Sequence, residues 1–380
     1  MYHFCSEEAF LQRLKRYVEI ETPTGNYDAM QSFNDVLEQD LLDAGASVTR
    51  YPSEMGDVIC AEVGEGPYRV LLLAHKDTVF PVGTLEKNPF RVEERDGQHV
   101  LRGPGVFDMK GGVCMAVELL RHFAKAPVPG WKITVLFNSD EETGSQCSRG
   151  IICTFMTKSE YCLCMEPANP GQCVTSRKGI ASFKLIASGV SAHSGTNYLD
   201  GASATEALCR VIAKAYDLRD DEKGLSINIG LMNAAGARNI VCDHAEAQGE
   251  FRSFDPAAIR DAMNALYEIC SKNDVKNTFV EADPYPSRPP MEQKAESKQI
   301  YEIAAACAEE HGLKLAECAR GGGSDAAFAS HMNVPVLDGL GVEGGKPHTA
   351  NEFAVLDTIQ NRLCLCADLI VRTAASGLFQ

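Results

Sequence analysis

The chain has 380 residues, is 45% hydrophobic and 23% charged, and carries a formal net charge of -16 with a pI near 5.1. That length exceeds one ordinary core and implies two structural units, while the acidic balance excludes a nucleic-acid backbone as a partner. No apolar run approaches the roughly 20 residues that span a bilayer. The N-terminal MYHFCSEEAFLQRLKRY lacks the basic-then-apolar pattern of a signal peptide, and 15 cysteines without C-x-x-C pairs read as reduced thiols, so the cytoplasm is the expected compartment.

Helical spacing runs over residues 7–20, through Phe10, Leu11, Leu14, Tyr17 and Val18, and again over 28–44. Strands are expected at Val58–Val63, Val70–Ala74, Ile133–Phe137 and Tyr161–Met165, with a helix at Gly111–Phe123 between the second and third. These near-continuous apolar runs argue for an α/β sheet covered on both faces. From about residue 178 the texture changes. ASFKLIASG alternates as a half-exposed strand, then come a helix (Ala202–Tyr216) and strands Leu225–Met232 and Asn239–Phe254. A helix opened by Asp255-Pro256 and a strand Thr278–Ala282 complete a β-α-β-β-α-β unit, closed by PYPSRPP (284–290) read as a hinge. The α/β texture then resumes to a C-terminal helix at about 356–376. The expected organisation is a larger domain built from 1–177 and 287–380, with a smaller domain, 178–286, inserted.

Five segments at expected strand ends carry unusual polar residues: AHKDT (His75, Asp77), GPGVFDMKGG (Asp108), NSDEETGS (Glu141, Glu142), CMEP (Glu166) and KPHTANE (His348). Singly, each fits a surface histidine, a solvated loop, a turn or a cap. As a set they place histidines and carboxylates on one rim, since ligands of open α/β sheets bind beyond the carboxyl ends of the strands. Clustered carboxylates repel and take up protons unless a cation compensates them, and two His with several Asp/Glu and no Cys suit zinc or a similar divalent ion. Two His and three carboxylates suffice for two ions if one carboxylate bridges. One of the adjacent glutamates then binds metal while the other remains a base, and Asp77 suits the carboxylate that orients an imidazole.

The ordered motifs H-x-D, G-P-G-x-x-D-x-K-G-G, D-E-E-x-G-S, E-P, A-H-S-G, G-G-G-S-D-A and P-H-x-x-N-E resemble the dinuclear-zinc metallopeptidases and deacylases over nearly the whole chain. That family includes glutamate carboxypeptidases, succinyl-diaminopimelate desuccinylases, acetylornithine deacetylases, aminoacylases and tripeptide aminopeptidases. The resemblance implies a zinc-exopeptidase-like catalytic domain with a mixed central sheet between helices, plus an inserted ferredoxin-like α+β domain for dimerisation or closure. It implies two Zn2+ ions, with Co2+ or Mn2+ as substitutes: His75 and Glu166 on one, Glu142 and His348 on the other, Asp108 bridging ahead of a cis Asp108-Met109 peptide. Glu141 is then the base. His193, in VSAHSG, becomes the oxyanion donor that in this family reaches the neighbouring subunit's active site, implying a homodimer. On the residues alone, a strand-end histidine in a turn is the favoured reading of His193.

Asn239 and Arg252, in GARNIVCDHAEAQGEFRSFD, resemble the family's grip on a substrate carboxylate; the competing reading of Arg252 is a strand arginine paired with a neighbouring acid. Arg177 is a third candidate, and Gly322, Gly323 and Ser324 offer backbone contacts. Glutamate rather than aspartate at Glu166 leans toward carboxypeptidases and deacylases. The expected activity is hydrolysis of an amide in a small peptide or N-acyl amino acid with a free carboxylate. A glutamate-carboxypeptidase-like exopeptidase comes first, and an N-acyl-amino-acid deacylase or a di- or tripeptide aminopeptidase follows. Two rivals fare worse. The glycine-rich LRGPGVFDMKGG and ARGGGSDAAF match neither phosphate-loop pattern, and a metal-free scaffold would have lost ligands that are all present here.

Overall fold

The apolar runs of the first part form the centre of a mixed six-stranded sheet in the computed structural model, which describes residues 1–234 and 236–379. The strands lie in the order Ser47–Tyr51, Val58–Val63, Trp131–Asn138, Tyr68–His75, Tyr161–Cys164, Val336–Leu337. The last four run parallel to one another, and the first two antiparallel. Alternate residues along Tyr68–His75 meet different surroundings, yet both sets are buried: Val70, Leu72 and Ala74 join the main apolar cluster, while Leu71 and Leu73 are equally covered. Burial on both faces is why these runs carry no polar alternation.

Parallel register decides where the loops emerge. His75 lies opposite Asn138, and Leu73 opposite Cys164, so the segments that follow the three strands leave from one edge. Across this edge the helix Lys110–Lys125 begins. A Cβ on Gly112 would meet the Met165 carbonyl oxygen at 2.2 Å, so glycine lets the helix start hard against the end of the Tyr161–Cys164 strand.

The chain clusters into two units. One comprises Met1–Ser176, Glu292–Ala319 and Ser324–Gln380, and contains this sheet; the other comprises Arg177–Met291 and Arg320–Gly323. The second unit has its own core, including Phe183, Leu185, Val211, Phe251 and Leu266. Its four strands lie in the order Ser226–Ala234, His244–Ser253, Gly179–Ser188, Phe279–Arg288, all neighbours antiparallel, with helices Ala204–Tyr216 and Pro256–Ser271. Asp255 caps the latter helix, its carboxylate accepting the Ala257 N–H at 2.8 Å.

Two expectations are corrected. PYPSRPP is not a hinge throughout: Phe279–Arg288 is one continuous strand that includes Pro284 and Pro286. It is paired on one side only, so residues without an N–H are tolerated there. The strand expected over Asn239–Phe254 is broken. Ile240–Val241 pairs with Ala192–His193, and His244–Ser253 forms separately. Between them the Cys242 carbonyl accepts from the Ala204 N–H and the Asp243 carbonyl from the Gly189 N–H, both at 2.8 Å, which takes this backbone out of the ladder.

The sequence expectation also omitted the hairpin Arg91–Arg95/Gln98–Arg102 and the helix Ala295–Glu310. Both have short or weakly periodic apolar patterns. All 15 cysteines are free, and among the described residues no helix is long and apolar enough to cross a membrane.

Candidate metal centre

Asp108 stands between two imidazoles. Its Oδ1 is 3.1 Å from His75 Nε2 and its Oδ2 is 3.2 Å from His348 Nε2. His75 Nε2 also lies 3.5 Å from Glu166 Oε1, and His348 Nε2 lies 3.3 Å from Glu142 Oε2. His75, Asp108 and Glu142 offer donor atoms within 4.8 Å of one another, and so do His75, Glu141 and Glu166. The structure therefore gathers His75, Asp108, Glu141, Glu142, Glu166 and His348 from five segments more than 270 residues apart at the extremes. Glu141, expected to stand free as a base, here lies within ligand reach of His75 and Glu166. The Asp108-Met109 peptide is cis, and His348 adopts φ +61°, a left-handed conformation uncommon for a non-glycine residue.

Asp77 plays a broader part than the one expected. His75 Nδ1 meets the Asp77 main-chain carbonyl at 3.0 Å, closer than the carboxylate Oδ1 at 3.4 Å. The carboxylate mainly accepts from the backbone N–H groups of Glu141 (3.2 Å) and Glu142 (3.1 Å) and from the Thr24 hydroxyl (2.8 Å). One buried residue thus holds the first histidine mainly through its backbone and the glutamate turn through its side chain. Behind that turn, Asp140 accepts from the Cys147 N–H at 2.7 Å, and Asp325 accepts from Asn138 at 2.8 Å. Lys76, between His75 and Asp77, points into the protein, where Nζ donates to the Asp57 carbonyl at 2.7 Å.

The electrostatics describe a site short of positive charge. Burial works against ionised His75, yet Asp108, Asp77 and Glu166 hold its pKa well above the usual imidazole value. His348 is raised to about 10 by its hydrogen bonds to Asp108 and Glu142. Burial, with the Asp108 charge adding to it, pushes Glu142 up to about 7. Asp108 itself is held below the ordinary carboxylate range by the two imidazoles despite burial. Glu142 Oε1 is buried with no hydrogen-bond partner, an arrangement that costs about 1–3 kcal/mol unless something satisfies it. A divalent cation fits these observations: it would occupy the shared space, take the orphaned oxygen and remove the need for extra protons.

The remaining candidates are placed elsewhere. Ser324 belongs to the first unit, fully buried, its hydroxyl 3.6 Å from Cys164 Sγ. His193, Asn239, Arg252, Arg177, Gly322 and Gly323 belong to the second unit. His193 is exposed, and its Nδ1 accepts the N–H groups of Gly195 (3.1 Å) and Thr196 (3.0 Å). That leaves Nε2 to carry the proton of the neutral ring. Asn239 is exposed and accepts the Ser194 N–H through its carbonyl at 2.9 Å. Arg252 grips Glu250 with two hydrogen bonds, 2.7 and 3.1 Å, and donates to the Gly321 carbonyl at 2.9 Å. Arg177 is buried and donates to the carbonyls of Gly322 and Gly323 at 3.3 and 2.9 Å.

Three contributors escaped the sequence reading: Thr24, Lys110 and Glu352. Lys110 Nζ donates to the Tyr17 and Ile20 carbonyls at 3.0 and 2.6 Å, which ties the segment after Asp108 to the end of the first helix. Glu352 Oε1 accepts the N–H of Phe107 at 2.9 Å and of Asp108 at 3.2 Å. Both residues sit in quoted motifs, the lysine of D-x-K-G-G and the glutamate of P-H-x-x-N-E. Thr24 has no such signal.

Comparison with known proteins shows the family. Residues 71–372 match the family described as peptidase family M20/M25/M40. The chain is 31% identical over 378 residues to carboxypeptidase G2 of Pseudomonas sp. (strain RS-16), covering 97% of this chain and 90% of that one. It is 27% identical over 222 residues to the acetylornithine deacetylase of Proteus mirabilis (strain HI4320), covering 55% and 56%. A Bacillus subtilis protein described as a dinuclear metal binding peptidase superposes with a TM-score of 0.69 at 14% identity, over 97% of this chain and 99% of that one.

Proposed function

This chain belongs to peptidase family M20/M25/M40, and on that premise we propose that it is a two-metal exopeptidase that releases a carboxyl-terminal residue from a small peptide or acyl substrate. The placement of one carboxylate, Asp108, between two imidazoles that each meet a further glutamate carries this reading. His75 and Glu166 would hold one ion and Glu142 and His348 the other, with Asp108 available to both. The donor set suits Zn2+, with Co2+ or Mn2+ able to replace it. Bound there, the ions supply Lewis acidity toward the scissile carbonyl and an attacking water.

The side chains do the rest. Glu141, fixed through its backbone by Asp77, takes the water's proton and passes it to the leaving nitrogen. His193, with its proton on Nε2, donates to the developing oxyanion. Asn239 and Arg252 take the substrate's carboxylate, the latter with its guanidinium already oriented by Glu250 and Gly321, and Arg177 steadies the Gly322-Gly323 backbone through their carbonyls. We place the enzyme in the cytoplasm, as a homodimer formed through the second unit.

The carboxypeptidase reading is favoured by the near full-length similarity to carboxypeptidase G2. The partial similarity to acetylornithine deacetylase supports N-acyl-amino-acid deacylation as the second reading. A hydrolysis panel on zinc-loaded protein tests them, comparing dipeptides that differ in their carboxyl-terminal residue with N-acyl amino acids and tripeptides. Preferential release of a carboxyl-terminal residue is expected. Cleavage confined to acetyl groups, or to amino-terminal residues, would overturn the first reading.

A further inference from the structure

We propose that Glu352 is a positioning residue that fixes Asp108 relative to His348, an inference resting on the reading of this cluster as a metal centre. Glu352 is completely buried. One oxygen accepts the backbone N–H of both Phe107 and Asp108, at 2.9 and 3.2 Å, while the other oxygen is buried without a hydrogen-bond partner. Four residues earlier in the same segment, His348 meets the Asp108 carboxylate at 3.2 Å. One short stretch therefore holds Asp108 twice, at its amide through Glu352 and at its side chain through His348.

The two holds differ in firmness. His348 is half-exposed, on a backbone with positive φ. Glu352 is anchored. Its N–H bonds the Thr349 carbonyl at 3.0 Å, and the following Phe353–Val355 strand pairs with Val100–Arg102. Arg102 also donates to the Asn351 carbonyl at 2.6 Å. The spacing between the two segments is thereby set at Glu352 and handed on to His348 and Asp108. A carboxyl group kept fully buried for two backbone contacts, with one oxygen unsatisfied, is an expensive group to retain for packing alone.

The test uses metal-free full-length protein titrated with zinc against a chelating dye. Glu352→Asp withdraws the carboxylate by one methylene, Glu352→Met fills the space without an acceptor, and Glu352→Gln keeps an accepting oxygen in reach. Zinc affinity is expected to fall about 10–100-fold in the Asp and Met variants, as for other groups that orient metal ligands, and to stay near wild type in Gln. Either of the first two suffices if the other fails to fold. Wild-type affinity in the folded Asp or Met variant, or a Gln variant as weak as they are, overturns the proposal. A wild-type protein that takes up no zinc, cobalt or manganese instead sinks the metal-centre reading on which it rests.

Discussion

Replacing Asp77 by Asn separates its two tasks. The buried carboxylate accepts from Thr24 and from Glu142 N–H at Oδ2, and from Glu141 N–H at Oδ1. Asparagine keeps one accepting oxygen. Placed at Oδ2, it turns an NH2 toward the Glu141 N–H, so one charge-assisted hydrogen bond is lost and a buried donor is left facing another donor. A hydrogen bond to a charged group contributes about 1.5–3 kcal/mol and an unsatisfied buried donor costs about 1–3 kcal/mol. Because these overlap, about 2–4 kcal/mol of destabilisation is expected, roughly 2 °C of Tm per kcal/mol in a unit of this size. The His75 carbonyl contact at 3.0 Å survives, being main-chain. Thermal unfolding of the metal-free protein reads the stability loss, and zinc competition reads the shift of the glutamate turn, expected at about 10–100-fold in affinity. A variant with wild-type melting and wild-type zinc affinity would refute the claim that Asp77 holds this turn.

Glu141→Gln should lower kcat by about 10²–10⁴-fold while bound zinc, read by elemental analysis, persists; near wild-type turnover removes Glu141 as the base. His193→Ala should cost about 10²–10³-fold in kcat. Mixing it with Glu141→Gln subunits should restore part of the activity if the histidine serves a neighbouring chain, and none if it serves its own. In the first unit, burial raises the Glu118 carboxyl, but Arg13 and the Cys5 N–H outweigh it and hold the pKa below its ordinary 4.5. Its stabilisation is therefore complete above pH 4.5 and fades as pH falls through the lower folded value. Urea unfolding of wild type and Glu118→Gln should accordingly converge in acid, and a gap unchanged down to about pH 3 would contradict the assignment.

The residues explain how much of this could be read from sequence. His75, Glu142 and Glu166 are legible because each follows a strong apolar run at a strand end, and parallel register brings those ends to one edge; Asp108 and His348 are legible only through their motifs. Glu352 and Thr24 carried no such contrast. A buried carboxylate reads like any loop acid until the backbone N–H groups it serves are known, and those lie at Phe107 and Asp108, far away in sequence. Arg252 shows the opposite limit, since side-chain type could not tell a substrate grip from its bond to Glu250. PYPSRPP misled because proline density signals a break only where both sides of a strand need donors.

That last strand has a consequence for how two chains could meet. Pro284 and Pro286 share one parity along Phe279–Arg288, opposite Phe183 and Ala181, so the donors they lack belong to the row turned away from the sheet. Two missing donors disfavour pairing of this edge with another strand. The opposite edge, Ser226–Ala234, contains no proline and exposes Leu231 and Met232. Lengthening of this sheet across a chain boundary is therefore favoured at the Ser226–Ala234 edge, and pairing of that edge with its own copy closes as a pair rather than an open-ended fibre.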